Sequence, residues 1–301
     1  MTIHVVGNVC VDTSFRLERL PQPGETLNAL AASEGPGGKG ANQAAAASRT
    51  GADVMLWAPV GKDAASVWIE GVIAAEISEL RVTRLDLPCD RSVIMVDRFG
   101  ENVIVTSAAC ADAFDPLVMT ALRETWKAGD MLLMQGNLRP AVTTACLRAA
   151  REAGLFTVLN PSPLPAEPFD LAAVSLIVVN RPEAEALTGK VDPEQAARAL
   201  VAAGAGSAIV TLGAEGALLL DAASALRLPA REVAAIDASG AGDCFAGTLA
   251  GLLAQGASLS AAASIATDAA GIAVGRPGTL ASFPTRAEIS ALTKTTKPEN
   301  E

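Results

Sequence analysis

Asp237-Ala-Ser-Gly-Ala-Gly-Asp243 runs without interruption into Cys-Phe-Ala-Gly-Thr-Leu-Ala-Gly-Leu-Leu, residues 244–253. Small residues followed at once by an apolar run read as a tight loop opening into a buried helix. The first amides of such a helix, those of Ala241, Gly242 and Asp243, have no intrahelical acceptor and point out of its N-terminus. With the helix dipole they make a hole for an anion, suited to a phosphoryl group in transfer. Asp243, in the same turn, is a carboxylate able to take a proton from a hydroxyl placed in line with that phosphorus. The plainer reading is a glycine turn through Gly240 and Gly242 with Asp243 as a simple cap. Membrane aspartyl proteases also carry Gly-x-Gly-Asp, but this chain offers no spanning helices to hold one.

Working outward, short β-branched runs alternate with Ala-rich helical stretches. Strands are expected near Ile3–Val6, Val54–Ala58, Met131–Met134, Thr157–Leu159, Leu176–Val179 and Ala208–Leu212. Helices are expected near Ala41–Thr50, Ala65–Ala75, Pro116–Lys127, Ala141–Ala153, Pro182–Leu187 and Pro193–Ala203. That alternation predicts an α/β chain with a mostly parallel sheet covered by helices on both faces. The polar tail Lys294–Glu301 is expected to fray. Two segments break the alternation: residues 13–36, and residues 91–106, where two alternating runs flank Arg98-Phe-Gly-Glu-Asn. The second is a hairpin signal, because Gly100 supplies the positive φ of a tight turn. Such hairpins either extend the main sheet or form a small separate sheet over a cleft.

Composition removes several chemistries. Of 301 residues, 50% are hydrophobic, yet only seven Phe and three Trp are aromatic and Tyr is absent. The single histidine, His4, lies in the first apolar run, so neither a histidine metal cluster nor a Ser-His-Asp triad is expected. A net charge of −10, from 23 basic and 33 acidic residues, argues against nucleic acid as a partner. Five scattered cysteines without a Cys-x-x-Cys pair fit reduced thiols in the cytoplasm. The N-terminus enters a β-like run directly, with no signal-peptide pattern. The Ala- and Gly-rich stretch from Ala246 to Gly275 reads as packed helices rather than a membrane span.

Gly35-Pro-Gly-Gly-Lys-Gly40 fits Gly-x-Gly-x-x-Gly in form only. No buried strand precedes it, and Asp53 stands before its strand rather than after it. No Walker A sequence is present either, since Gly40 and Asp63 follow the two Gly-Lys pairs. The segment reads instead as glycines opening into a helix, with backbone amides, Lys39 and Asn42 close to a small polar ligand. Asn180-Arg-Pro-Glu183 has the spacing to hold a metal-bound water near phosphates, or equally to cap a helix reciprocally. Thr211-Leu-Gly-Ala-Glu-Gly216 is a strand end followed by a glycine turn.

Taken in order, Gly37-Gly-Lys-Gly-Ala-Asn-Gln-Ala44, Asn160-Pro-Ser-Pro163, Asn180–Glu183, Thr211–Gly216 and Asp237–Asp243 with Gly247 resemble the ribokinase (PfkB-type) family of carbohydrate and nucleoside kinases. The resemblance covers essentially the whole chain. It implies one kinase domain over residues 1–301, with a three-layer α/β fold and a small β-sheet lid from about 13–36 and 91–106. In the family such lids commonly pair two subunits, which implies a homodimer. By position, Asp243 would be the catalytic base, with Gly240, Ala241 and Gly242 forming the anion hole. Asp12, Gly38, Lys39 and Asn42 would bind the substrate. Asn180, Thr211, Gly213, Glu215, Gly216 and Thr267 would line an ATP site, with Glu183 organising Mg²⁺ through water. Asp237, Ser239, Ala273, Arg276, Gly278 and Ser282 would surround a monovalent cation such as K⁺. Three departures stand out: Cys10 where ribokinases have Asn, Asn137 where they have a sugar-contacting Glu, and Ala238 where Thr or Pro is usual. The resemblance therefore implies phosphorylation of a hydroxymethyl group on a sugar or sugar-like polyol, without specifying ribose. A nucleoside kinase of the same fold and a non-catalytic sugar sensor are the rival readings.

Overall fold

Strand runs in this chain are buried on both faces, which only a sheet between two helical layers allows. In the computed structural model, which describes residues 1–167, 169–221 and 224–295, alternate residues of the inner strands feed opposite cores. Ile3, Val5, Met131 and Leu133 pack into one apolar cluster, and Val6, Leu132 and Met134 into the other.

The strands are β1 (Thr2–Val6), β2 (Cys10–Arg16), β3 (Ala31–Gly37), β4 (Asp53–Val60), β5 (Glu79–Arg84), β6 (Arg91–Val96) and β7 (Asn102–Ser107). They continue as β8 (Met131–Gln135), β9 (Phe156–Asn160), β10 (Leu176–Asn180), β11 (Ser207–Thr211), β12 (Ala217–Leu220) and β13 (Ala225–Leu228). The large sheet has the order β13-β12-β11-β10-β9-β8-β1-β4-β5. It is parallel from β11 through to β5, and β12 and β13 close one edge as antiparallel strands. Strand order therefore reverses at β1, whose neighbours are β4 and β8, and the crevice beyond the strands' C-terminal ends at such a switch point is where α/β folds bind ligands.

The second sheet is separate, with order β3-β2-β6-β7. Its two hairpins meet through a parallel β2–β6 pairing that no local pattern announces. The β6–β7 turn follows the expected chemistry: Gly100 has φ 84°, its amide donates to Asp97 O at 3.1 Å, and the Asp97 carboxylate accepts from Phe99 N and Glu101 N.

One expected helix needs correction, and three strands are additional to those expected. The helix expected over Pro116–Lys127 is two single turns, Pro116–Met119 and Leu122–Thr125. Thr120 interrupts them: its hydroxyl donates to Pro116 O at 2.6 Å and accepts from Leu122 N at 3.1 Å, replacing the ladder bonds that would continue the helix. The edge strands β5, β12 and β13 were not expected, being short or charged. The stretch from Ala246 to Gly275 forms parts of two helices, Ala241–Ala254 and Leu259–Val274, and no helix among the described residues is long and apolar enough to cross a membrane. Thr296 to Glu301 of the expected frayed tail lie outside the described residues, while Lys294 and Thr295 end the helix Arg286–Thr295.

Candidate active site

The helix Ala241–Ala254 starts at Gly240, which has φ 76°, and no side chain caps it. Ala241 N turns back to Ala238 O at 3.3 Å, so the outward-facing amides of the first turn are those of Gly242 and Asp243. This helix packs against Lys39–Arg49 through glycine. A Cβ on Gly247 would meet Gln43 O at 2.3 Å, and one on Gly251 would meet Ala47 O at 2.7 Å. Backbone contact of that kind sets Asn42 and Gln43 beside Asp243.

Asp243 is 3% exposed. Its Oδ2 accepts from Asn42 Nδ2 at 3.1 Å, its Oδ1 from Gln43 Nε2 at 2.9 Å, and Lys39 Nζ lies 3.6 Å from Oδ1. Gln43 is itself fixed: Oε1 accepts from Gln135 Nε2 at 2.9 Å, and Nε2 also donates to Asn160 Oδ1 at 3.0 Å. Asn160 Nδ2 in turn donates to Val178 O at 2.9 Å. A carboxylate tied by this many amides is held in one orientation. Gln43, Gln135 and Asn160 received no role from the sequence, although Gln43 and Asn160 sit inside the quoted motifs. Their function depends on which helix and strand ends meet, which motif spacing does not state.

Opposite Asp243, the small sheet presents Cys10, Asp12, Ser92 and Thr106. Cys10 Sγ is 3.3 Å from Asp12 Oδ1 and 3.4 Å from Ser92 Oγ, which is 3.0 Å from Thr106 Oγ1. A Cβ at Gly37 would lie 2.1 Å from Asp12 Cγ, so only glycine lets that carboxylate sit against β3. Gly38, at φ 96°, faces Asn8 O in the same way. Cys10, Asp12, Gly38, Lys39, Asn42, Asn137, Gly240 and Asp243 all line one cleft of about 750 Å³. Asn42 Oδ1 and Asn137 Oδ1 are buried without a protein partner, as acceptors reserved for a ligand would be. His4 does not line this cleft. Burial pushes the Cys10 thiol well above its usual value, and those of Cys110, Cys146 and Cys244 up to about 12.

Burial also pushes the Asp12 carboxyl above its ordinary range, against hydrogen bonds from Cys10 and Ser92, and the Asp243 charge adds to the rise. An acid whose folded pKa is raised favours folding below its unfolded pKa and loses that contribution as pH rises through the folded value. Asp12→Asn is therefore expected to raise Tm at pH 7–8, with the gain vanishing below about pH 4. Paired melts of the two proteins across that range check it.

The residues expected to bind nucleotide gather elsewhere, at the C-terminal ends of β10 and β11. Asn180 and Thr211 are register partners there. Asn180 and Glu183 form a reciprocal capping box, with Asn180 Oδ1 accepting from Glu183 N at 2.8 Å and Glu183 Oε2 from Asn180 N at 2.9 Å. Gly213 and Gly216 have φ of 61° and 95°, and Glu215 pairs with Arg181. Thr267, in the helix Leu259–Val274, donates to Ala263 O. None of these residues lines the 750 Å³ cleft.

Asp237, Ser239 and Gly278 border a second recess of about 330 Å³ between the small sheet and residues 277–281. Ala273 is buried in its helix, the Arg276 side chain is paired with Glu288, and Ser282 Oγ donates to Thr279 O at 2.7 Å.

Residues 2–286 match the pfkB family of carbohydrate kinases. The chain belongs to that family. It is 32% identical to mouse ribokinase over 298 residues, covering 95% of this chain and 92% of that one. It is also 32% identical to deoxyribokinase of Salmonella typhimurium, covering 94% and 96%. The structure of Arabidopsis thaliana ribokinase complexed with ribose and ATP superposes with a TM-score of 0.84 at 25% identity, covering 97% and 98%. This pfkB kinase is an ATP-dependent sugar kinase with the ribokinase-like fold: a large, mostly parallel sheet plus a smaller sheet.

Proposed function

We propose that this kinase phosphorylates a hydroxymethyl group of a pentose, a deoxypentose or a related polyol in the cleft between Asp12 and Asp243. The observation that carries this is Asp243 itself: one residue supplies both a fixed carboxylate and, with Gly242, the free amides of a helix start. Asp243 takes the proton of the attacking hydroxyl as its oxygen bonds to the γ-phosphorus of ATP and the bond to the ADP oxygen breaks. The amides of Gly242 and Asp243 receive charge on the transferring group, and Lys39 offsets charge beside it. Asp12 accepts two substrate hydroxyls, and the free Oδ1 atoms of Asn42 and Asn137 accept others. Asn180, Thr211, Gly213, Glu215, Gly216 and Thr267 would hold the nucleotide.

No cluster of three or more metal-binding side chains occurs among the described residues. Mg²⁺ keeps most of its water and binds through phosphates and one or two carboxylates, so its site would rest on the nucleotide and Glu183 rather than on a cage of side chains. Glu183, with one oxygen beyond its capping bond, would hold that water, and the ion would neutralise phosphate charge.

Two features support a sugar over a nucleoside. None of Phe15, Trp57, Phe99 or Phe114 lines the cleft, so no ring is placed to stack a base. Trp57 and Phe114 are instead packed into the core. The departures at Cys10 and Asn137 both face the cleft, whose carboxylates are Asp12, Asp112 and Asp243, and the changed contacts favour a substrate with fewer or differently placed hydroxyls than ribose. The test is ADP release over a panel of pentoses, deoxypentoses, ketoses, polyols and nucleosides. A nucleoside preferred over every sugar would overturn the reading.

The small sheet would act as a lid and as a dimer face. Val93, Val103 and Val105 share its side away from Ile94 and Ile104 and are 39%, 41% and 62% exposed. A paired subunit would cover them. Val105→Glu is expected to convert a homodimer to monomer with the helical spectrum unchanged, read by light scattering on a sizing column. The five buried free thiols fit a reducing cytoplasm.

A further inference from the structure

The residues that the family resemblance assigns to a monovalent cation do not present an open charge. Asp237 is the one side-chain anion among them, and it is 7% exposed. Its Oδ1 accepts from Ser239 N at 2.9 Å and its Oδ2 from Gly278 N at 3.0 Å. A third donor then completes the group: Arg16 Nη2 lies 3.3 Å from Oδ2. Of the backbone carbonyls in the set, Ala273 O already accepts from Arg276 N at 3.0 Å. Ser239 Oγ is buried without a protein partner and could face a cation, but the carboxylate, the set's one charge, is already matched by two amides and a guanidinium, so the set offers an external cation little uncompensated charge.

We infer that Arg16 is the built-in counter-ion of Asp237, and that it replaces K⁺ in holding the anion-hole loop. Arg16 is the last residue of β2, the strand that also carries Cys10 and Asp12. Its pair with Asp237 ties that strand to the turn Asp237–Gly240, which sets the first amides of the helix Ala241–Ala254. A guanidinium remains charged at every pH at which the protein folds, so this counter-ion cannot be washed out. The 330 Å³ recess beside it is lined by three carboxylates, from Asp12, Glu34 and Asp237, against Arg16 as the only basic side chain. Glu34 has Arg91 at 3.5 Å, which leaves Arg16 to answer Asp237. Without Arg16, a nearly buried carboxylate would face that recess uncompensated, a costly state that a small cation entering the recess would relieve.

The inference rests on the proposed phosphoryl-transfer site for its kinetic arm alone. The full chain and Arg16→Met are exchanged into tetramethylammonium chloride, and about 100 mM KCl is substituted at constant ionic strength. In melts without substrate, K⁺ should leave the Tm of the unaltered protein within about 1 °C and raise that of Arg16→Met by roughly 3 °C or more. In turnover, the unaltered enzyme should change less than about twofold with K⁺, while Arg16→Met should lose roughly tenfold without K⁺ and recover with K⁺ or guanidinium ion. Arg16→Lys should keep its rate without K⁺. Should Arg16→Met not fold, the response of the unaltered protein and of Arg16→Lys decides. A K⁺ response as large in the unaltered protein as in Arg16→Met would overturn the inference, as would indifference of Arg16→Met to K⁺ in both arms. If the melts follow expectation but no sugar is phosphorylated, it is the proposed function that fails.

Discussion

Asp243→Asn is expected to lower kcat by about 10³-fold, the usual scale for removing a general base, while nucleotide still binds. The carboxylate accepts from Asn42 and Gln43 on separate oxygens, and a carboxamide keeps only one acceptor. One of those buried amides would then meet another N–H₂ instead of an oxygen. That costs about 1–3 kcal/mol, so a modest fall in Tm should accompany the kinetic loss. The two effects separate experimentally. Steady-state rates with the best sugar of the panel report the base, ADP titration by calorimetry reports the nucleotide site, and melts report the network. A rate within fivefold of the unaltered enzyme would remove Asp243 from the mechanism.

The second large effect is structural. Gly247→Ala adds one methyl where the two helices touch, 2.3 Å from Gln43 O and 2.7 Å from Ala46 Cβ. Neither atom is the end of a flexible side chain, so the helices must separate. Overpacking of this kind costs about 3 kcal/mol, or a fall in Tm of roughly 5 °C in a chain of this size. Because Gln43 is the residue displaced, the Asp243 carboxylate should lose its fixed orientation, and kcat should fall more than KM for ATP rises. A melt unchanged within about 1 °C would mean the helices are free to slide apart, against the close packing seen here.

What the sequence determined by itself was local. Alternating apolar runs specified an α/β chain, because a strand buried on both faces and an Ala-rich helix each have their own periodicity. The Asp237–Asp243 loop was legible as a helix start with free amides, because glycine and small residues leave little else for the chain to do there. Gly100 marked its hairpin for the same reason. The tertiary structure decided everything that depended on partners far apart in sequence. It placed Gln43, Gln135 and Asn160 around Asp243, paired β2 with β6 in parallel, and set Arg16 against Asp237 across 221 residues. Thr120 breaks an expected helix locally, its hydroxyl competing with the ladder bonds of its own turn, which apolar periodicity does not register. Periodicity records which face a residue turns to the core. Hydrogen bonds and ion pairs between elements depend on how close two backbones come, and that distance is set by glycines whose role becomes visible only when the helices meet.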